Sequence, residues 1–366
     1  MQIAIIGLAR SGKSTVFNSL TRGDAATGGF GGLTVNTGVV KVPDARLARL
    51  TEVFKPKREV PADVIYVDLP APATTAEGEP RGDIPADQLA RLRNADALLH
   101  VVRAFDDPSV PHPLLSIDAA RDFEQLELEF ILADLGVVEK RLEKLSSSGR
   151  HGTAAEREAN EREQVVLEKI LPALSEGRPI RDIGLDADDE LRVRGFRFLT
   201  EKPVLVLLNV GEGDIARAAD LAAELAAGIQ HARTDVVSLS ARIEMEIGEL
   251  EEDEAQAFRD DLGLEGSSLE RVIRASYALL GLISFFTVGP DENRAWTVTR
   301  GASAVDAAGA IHTDLARGFI RAEVIGWEEL LELGSMAEAK RHGKVRSEGK
   351  TYQVQDGDVI EVLFNV

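Results

Sequence analysis

Hydrophobic positions in the first 110 residues fall in short continuous runs separated by helical patterns. Runs of this kind, lacking strict alternation, are expected of strands covered on both faces of a parallel α/β sheet. Residues Gln2–Ile6, 60–68 and 97–103 read as three such strands, and 203–209 and about 235–238 have the same character. Between the two groups the period changes. Leu128, Leu132, Leu135, Leu142 and Leu145 recur as one apolar helical face, with Glu139, Lys140, Arg141 and Lys144 interleaved. The polar stretch Ser146-Ser147-Ser148-Gly149-Arg150-His151-Gly152 interrupts it. Val166, Ile170 and Leu174 then mark a second helix ending near Pro179. Two helices around a polar tip predict an antiparallel hairpin, an arm inserted into the α/β domain; a helix of about 28 residues reaches roughly 40 Å. After an apolar helix at 272–282, strand-like runs at 283–288, 295–299, 351–354 and 359–364 surround a helix over 304–316. Gln355-Asp356-Gly357-Asp358 reads as a hairpin turn. These mixed strands about one helix predict a small α+β domain.

Composition narrows the partners. A formal charge of −20 argues against broad, non-specific nucleic-acid binding. Contact with RNA must come from shape or from a local basic patch, and Lys340-Arg341-His342-Gly343-Lys344-Val345-Arg346 is a basic cluster of that kind. A solvated loop is the alternative for it. The chain has no cysteine, which excludes disulfides and thiolate metal sites and fits a reducing, cytoplasmic location. The apolar start is too short for a secretory core, and no run is long enough to span a membrane. His312 and Trp296 are expected to pack or hydrogen-bond within the C-terminal domain.

Chemistry enters at the first strand-to-helix junction. Gly7-Leu8-Ala9-Arg10-Ser11-Gly12-Lys13-Ser14-Thr15 satisfies G-x-x-x-x-G-K-S/T between a strand and a helix. Glycines let successive N–H groups converge on one anion, and the helix start adds its positive dipole end. Lys13 is expected to reach the β- and γ-phosphates and the Ser14 hydroxyl to bind Mg²⁺. Asp68, ending a strand, is the candidate carboxylate for the same ion. Asn209 closes a later strand with Glu212 three residues on, where GTPases carry N-K-x-D. That Asp accepts two guanine donors; here Val210 replaces the Lys and the longer Glu212 the Asp, so ATP is expected over GTP. Ser240, Ala241 and Arg242 follow the next strand, where a backbone N–H could touch the base.

On these residues and several others the chain resembles the Obg-like ATPase family, the YchF proteins of bacteria. Asn36-Thr37-Gly38-Val39-Val40-Lys41-Val42-Pro43-Asp44, His100-Val101-Val102-Arg103, 134–145, Asn209 with Glu212, 240–250, Ile311-His312-Thr313-Asp314 and the tail from Val354 are all similar to family segments. The resemblance implies a Ras-like P-loop G domain in two parts (1–112 and 197–281), an inserted coiled-coil arm (113–196) and a C-terminal β-grasp TGS domain (282–366). It also implies Mg²⁺-dependent ATP hydrolysis by a monomer that associates with the ribosome or ribosomal RNA through arm and TGS domain.

The departures fall on the chemistry. Arg10 stands where the family has an Asn that helps bind a monovalent cation, so a potassium requirement is not expected. Asp68-Leu69-Pro70-Ala71 and then Pro72 replace D-x-A-G at the start of the second switch. Gln88-Leu89-Ala90-Arg91-Leu92-Arg93 replaces F-L-x-H-I-R, placing Arg91 at the catalytic His. Thr34 is the nearest candidate for the Mg²⁺-contacting threonine of the first switch. Two readings of these changes stand side by side. Arg10 supplies the missing positive charge as an arginine finger does, or the chain is a nucleotide-binding scaffold with little or no hydrolysis. A P-loop kinase is a third reading, and Asn209 with Glu212 argues against it.

Overall fold

A computed structural model of the chain describes residues 1–23, 35–69, 84–148, 153–264 and 266–365. They form two compact units, Met1–Gly38 with Ile65–Val272 and Val39–Val64 with Ile273–Val366. Residues 39–64, expected in the first part of the G domain, thus group with the C-terminal residues instead.

Along the first half the elements are β1 (Gln2–Ile6), α1 (Lys13–Thr21), β2 (Asn36–Lys41), α2 (Ala45–Phe54), β3 (Arg58–Val60), β4 (Asp63–Asp68), α3 (Ala86–Asn94), β5 (Ala97–Ala104), α4 (Ala119–Ser148) and α5 (Ala154–Ser175). They continue with β6 (Val204–Val210), β7 (Thr234–Leu239), β8 (Leu282–Thr287), β9 (Glu292–Thr299), β10 (Phe319–Gly326), β11 (Arg346–Glu348) and β12 (Asp358–Phe364), with shorter helices between. The first sheet runs β2-β4-β1-β5-β6-β7, and β4, β1, β5, β6 and β7 pair in parallel. β6 is buried along its whole length, as expected of a strand covered on both faces. The run expected at 60–68 is two strands, β3 and β4, broken at Pro61 and Ala62.

α4 and α5 form the expected hairpin, α4 being 30 residues long. Thr153 caps α5 in a reciprocal pair with Glu156. The expected apolar face of α4 holds in its outer part, where Leu145 is buried and Leu135 and Leu142 pack beside it, and fails nearer the root. Leu128 and Leu132 are 51% and 54% exposed. The root of α4 instead buries Phe123, Leu126 and Phe130 against the sheet, and its outer part buries Ile131, Val138 and Leu145 against Val166, Leu167, Ile170 and Leu174. One helix with two successive partners needs a face that rotates along its length. Asp134 on α4 is fully buried, accepts from Thr200 N and Oγ1 at 2.8 and 2.9 Å, and pairs with Arg93 of α3 at 2.9 Å. A charge-assisted bond thereby ties α3 to the arm.

In the second unit the sheet runs β11-β10-β12-β8-β9-β3. β8 and β9 are an antiparallel hairpin, β12 lies parallel to β8, and β10 pairs antiparallel with β12 and β11. Helix Ala304–Ile311 buries Ala304, Ala307 and Ala308 against Phe285, Val298 and Val324. The helix expected over 304–316 breaks at His312, whose Nδ1 accepts from the Asp314 N–H to start helix Thr313–Arg317. Residues 351–354 contribute only an isolated bridge, Gln353 to Ser303. The expected turn exists, with Asp358 N–H donating to Gln355 O at 3.1 Å and Gly357 at φ +94°. The strand after it pairs with β10 and β8 rather than with the run before it. Within this unit α2 is held by Arg46, which binds Asp44 and Asp356 at 2.8 and 2.9 Å and lies over the Phe286 ring.

Candidate nucleotide site

The phosphate loop joins β1 to α1, and its glycines answer to specific neighbours. A Cβ on Gly7 (φ +145°) would stand 2.3 Å from Val101 O, and one on Gly12 (φ +97°) 2.3 Å from Asn209 Nδ2. Neither position accepts a side chain without moving a β5 carbonyl or the base-side asparagine. Arg10 holds φ +63°, which is rare for a residue with a Cβ. Leu8 and Ser11 are buried, Ala9, Ser14 and Thr15 partly so, and Ser11 Oγ has no hydrogen-bond partner among the described residues.

Lys13 is only 7% exposed. Its Nζ donates to two loop carbonyls, Gly7 O at 3.0 Å and Leu8 O at 2.8 Å. Burial lowers its pKa to about 8, with the Asp68 charge opposing. Ser14 Oγ donates to Asp68 Oδ2 at 3.0 Å. Burial raises the Asp68 pKa, against the Ser14 hydrogen bond, the Lys13 charge and the nearby Asn36 side chain. Asp68 Oδ1 is buried without a hydrogen-bond partner among the described residues. A hydroxyl and an under-satisfied carboxylate beside the phosphate loop are the hard oxygen donors Mg²⁺ takes when substrate phosphate and water complete its shell. The residues therefore fit that ion. Among the described residues no group of three or more His, Cys, Asp or Glu could hold a metal ion. Thr34, Pro70, Ala71 and Pro72 lie outside the described residues.

On the base side, Asn209 is buried and bridges two loops. Its Nδ2 donates to Ser11 O at 3.0 Å, and its Oδ1 accepts from Ala241 N at 3.0 Å. Val210, Ser240 and Ala241 are buried, and Glu212 is exposed at the start of a 3₁₀ turn. Arg242 is exposed and bonds Glu246 of its own helix at 3.2 Å. The structure adds two residues that sequence reasoning left out. Arg103 is almost wholly buried, donates to Phe105 O at 3.0 Å and stacks on the Phe105 ring at 4.2 Å. Phe105 in turn lies against Gly211, whose added Cβ would stand 3.5 Å from the Phe105 Cβ. A fully buried arginine at the end of β5, beside Asn209 in the sheet register, marks that corner of the site.

The two arginines expected to carry chemistry are placed differently. Arg10 Nη1 donates to Pro111 O at 2.9 Å, a residue shortly before α4. A finger role requires that bond to break. Arg91 is exposed on α3, while Gln88 and Leu92 form the buried side of the same helix.

Residues 2–142 match the family model described as a 50S ribosome-binding GTPase. Residues 282–365 match YchF-GTPase_C, described as a protein of unknown function. The ribosome-binding ATPase YchF of Bacillus subtilis is 40% identical over 371 residues, covering 99% of this chain and 98% of the relative. Its Haemophilus influenzae counterpart is 42% identical over 371 residues with the same coverage. The solved YchF GTPase of Schizosaccharomyces pombe superposes with a TM-score of 0.84 at 29% identity, covering 99% of this chain and 97% of that one. With the phosphate loop, the parallel sheet and the C-terminal mixed sheet all accounted for over the full length, the chain belongs to the YchF family.

Proposed function

We propose that this chain is an Mg²⁺-dependent P-loop ATPase that prefers ATP to GTP and acts as a nucleotide-controlled switch on the ribosome. The observation that carries the phosphate chemistry is the state of Lys13 and Asp68. A buried ammonium resting on two neutral carbonyls and a buried carboxylate oxygen without a partner are both under-satisfied. A bound phosphate chain with its cation would satisfy both at once.

Ser14 and Asp68 would hold Mg²⁺, which when bound neutralises charge on the β- and γ-phosphate oxygens. Lys13 would turn from Gly7 O and Leu8 O to the phosphates, the loop N–H groups would bind the β-phosphate, and the start of α1 would add its dipole. Asn209 would orient the purine through N7. Glu212 stands where guanine selection needs an Asp, and its longer side chain supports the adenine preference. Ribosome association rests on the whole-length relatives from Bacillus subtilis and Haemophilus influenzae, which are ribosome-binding ATPases.

The Lys340–Arg346 cluster is a poor candidate for the ribosomal contact. Lys340 pairs with Glu323 and Glu361, Arg341 with Glu338, Lys344 with Glu329, and Arg346 with Glu348 and Asp358. The decisive experiment is a calorimetric titration with ATP and GTP, each with Mg²⁺ and with EDTA. It is paired with ribosome co-sedimentation in the presence of ADP or a non-hydrolysable ATP analogue. ATP should bind about tenfold more tightly than GTP and lose most of that affinity in EDTA. GTP binding tighter than ATP, or sedimentation indifferent to nucleotide, would overturn the corresponding part.

A further inference from the structure

In the second unit, β12 is an apolar strand whose second half is only partly covered. Val359 and Ile360 are buried, Val362 and Leu363 are half-buried, and Phe364 is 45% exposed. The two neighbours of the strand explain the change. Its register with β10 continues to Phe364, whereas its register with β8 stops at Val359 opposite Phe286, because β8 ends at Thr287. Asn365 N–H donates to Gly318 O at 2.9 Å, on the β10 side. Main-chain groups alternate between the two sides of a strand, so those of Glu361 and Leu363 also point to β10, and those of Val362 and Phe364 point away from it. Among the described residues no strand pairs with β12 beyond Val359 on that side.

The open edge borders a groove of about 360 Å³. Thr287 and Val288 line it where β8 leaves the sheet, and Ile311, Leu315 and Met336 add further apolar surface. All five are only partly buried. Ile311 and Leu315 belong to the same apolar cluster as Ile360 and Val362, and so flank one face of β12. Met336 opens helix Met336–Arg341, whose Lys340 binds Glu361 at 3.0 Å, on the other face. Glu361 is the charged residue among those that line the groove. Lys340 is shared between Glu361 and Glu323, so two carboxylates answer to one ammonium there.

We propose that this groove takes an extended, basic segment of a partner protein, which adds to the free edge of β12 as a further strand. Unpaired main-chain groups select a strand, since a helix spends its own N–H and C=O groups internally and would leave the edge bare. A segment of about five residues, roughly 17 Å, spans the open stretch. Its side chains alternate between the two faces of the sheet. Apolar residues at every second position meet Ile311 and Leu315. The positions between them meet Met336 and the negative charge at Glu361, where lysine or arginine lays its stem on the methionine and its cation beside the carboxylate. The chain's formal charge of −20 favours the same sign of partner.

The test uses the full-length chain at physiological salt and two blocked nonapeptides of lysine and valine with identical composition. In one the residues alternate; in the other the lysines and valines are grouped. The alternating peptide is expected to bind at least tenfold more tightly. In the free protein the Val362 and Phe364 amides should exchange with solvent at least tenfold faster than those of Glu361 and Leu363, and should slow at least tenfold when the alternating peptide is bound. Val362→Pro deletes an N–H that faces the gap, a change edge strands accept, and should weaken the peptide at least tenfold. Should that variant fail to fold, amide exchange in the wild type decides alone. Equal binding of the two peptides, binding of neither, or Val362 and Phe364 amides already protected in the free protein would overturn the proposal. So would a dimer in sedimentation equilibrium that protects the same amides, since the edge would then belong to a second copy of the chain.

Discussion

Two stretches of this chain concentrate lysine and arginine where phosphate could be bound, and their charges are satisfied in opposite ways. In the phosphate loop, Lys13 is buried on neutral carbonyls, and the nearest carboxylate, Asp68, bonds Ser14 and keeps one oxygen bare. In the 340–346 cluster, each cation meets a carboxylate, Lys340 meeting two, at 2.6 and 3.0 Å. The glutamates that bind Lys340 and Lys344 raise those lysines' pKa values, whereas burial lowers that of Lys13. Count of basic residues is therefore a weak guide to phosphate affinity. What matters is whether the fold has already supplied the anion.

The contrast is broken most severely by removing Lys13. Lys13→Met keeps the volume of the stem and deletes a desolvated cation, so the melting temperature should be unchanged or higher. ATP affinity should fall at least a hundredfold, about 3 kcal/mol, read by calorimetry with Mg²⁺ present. Affinity within tenfold of wild type would mean that the loop N–H groups dominate and the buried ammonium is structural.

Proton affinity sharpens the same contrast without mutation. Because the free-protein pKa of Lys13 is lowered to about 8, the cation is lost as pH rises through that value. Bound phosphates favour the charged form, so the pKa rises on binding. ATP affinity should therefore be flat below pH 7.5 and weaken above 8, by up to roughly tenfold per pH unit until the bound-state pKa is reached. Lys13→Met should abolish the dependence. A profile that stays flat to pH 9.5 in wild type would show that Lys13 remains charged in the free protein.

Sequence pattern read some of this well because the relevant information is local. Glycine, lysine and serine spacing between a strand and a helix defines the phosphate loop without reference to distant residues. Asp68 and Asn209 were legible because each ends an apolar run. The faces of α4 were not. Its leucines at 128, 132, 135, 142 and 145 share helical spacing, but the helix changes partner from sheet to α5, so Leu128 and Leu132 are exposed while Phe123, Leu126, Phe130, Ile131, Val138 and Leu145 are buried. β10 escaped notice because Arg321 and Glu323 interrupt its apolar residues, and its pairing with β12 spans distant segments. The placement of Arg10 against Pro111 likewise depends on a contact 101 residues away.

The mildest effect is expected at the basic cluster. Its ion pairs lie at the surface, where such pairs contribute about 0 to 1 kcal/mol each. Replacing Lys340 and Lys344 together by Gln removes two cations whose glutamates then face water, at a cost of a degree or two in melting temperature. If ribosome association uses another surface, co-sedimentation at fixed salt should change by less than twofold, and the salt dependence of binding should keep its slope. A cluster that contacted RNA phosphate would lose slope by about one unit per lysine. The slope separates the alternatives better than the affinity, since neutralising an acidic chain by any route shifts affinity, whereas only a direct phosphate contact changes the number of counterions released.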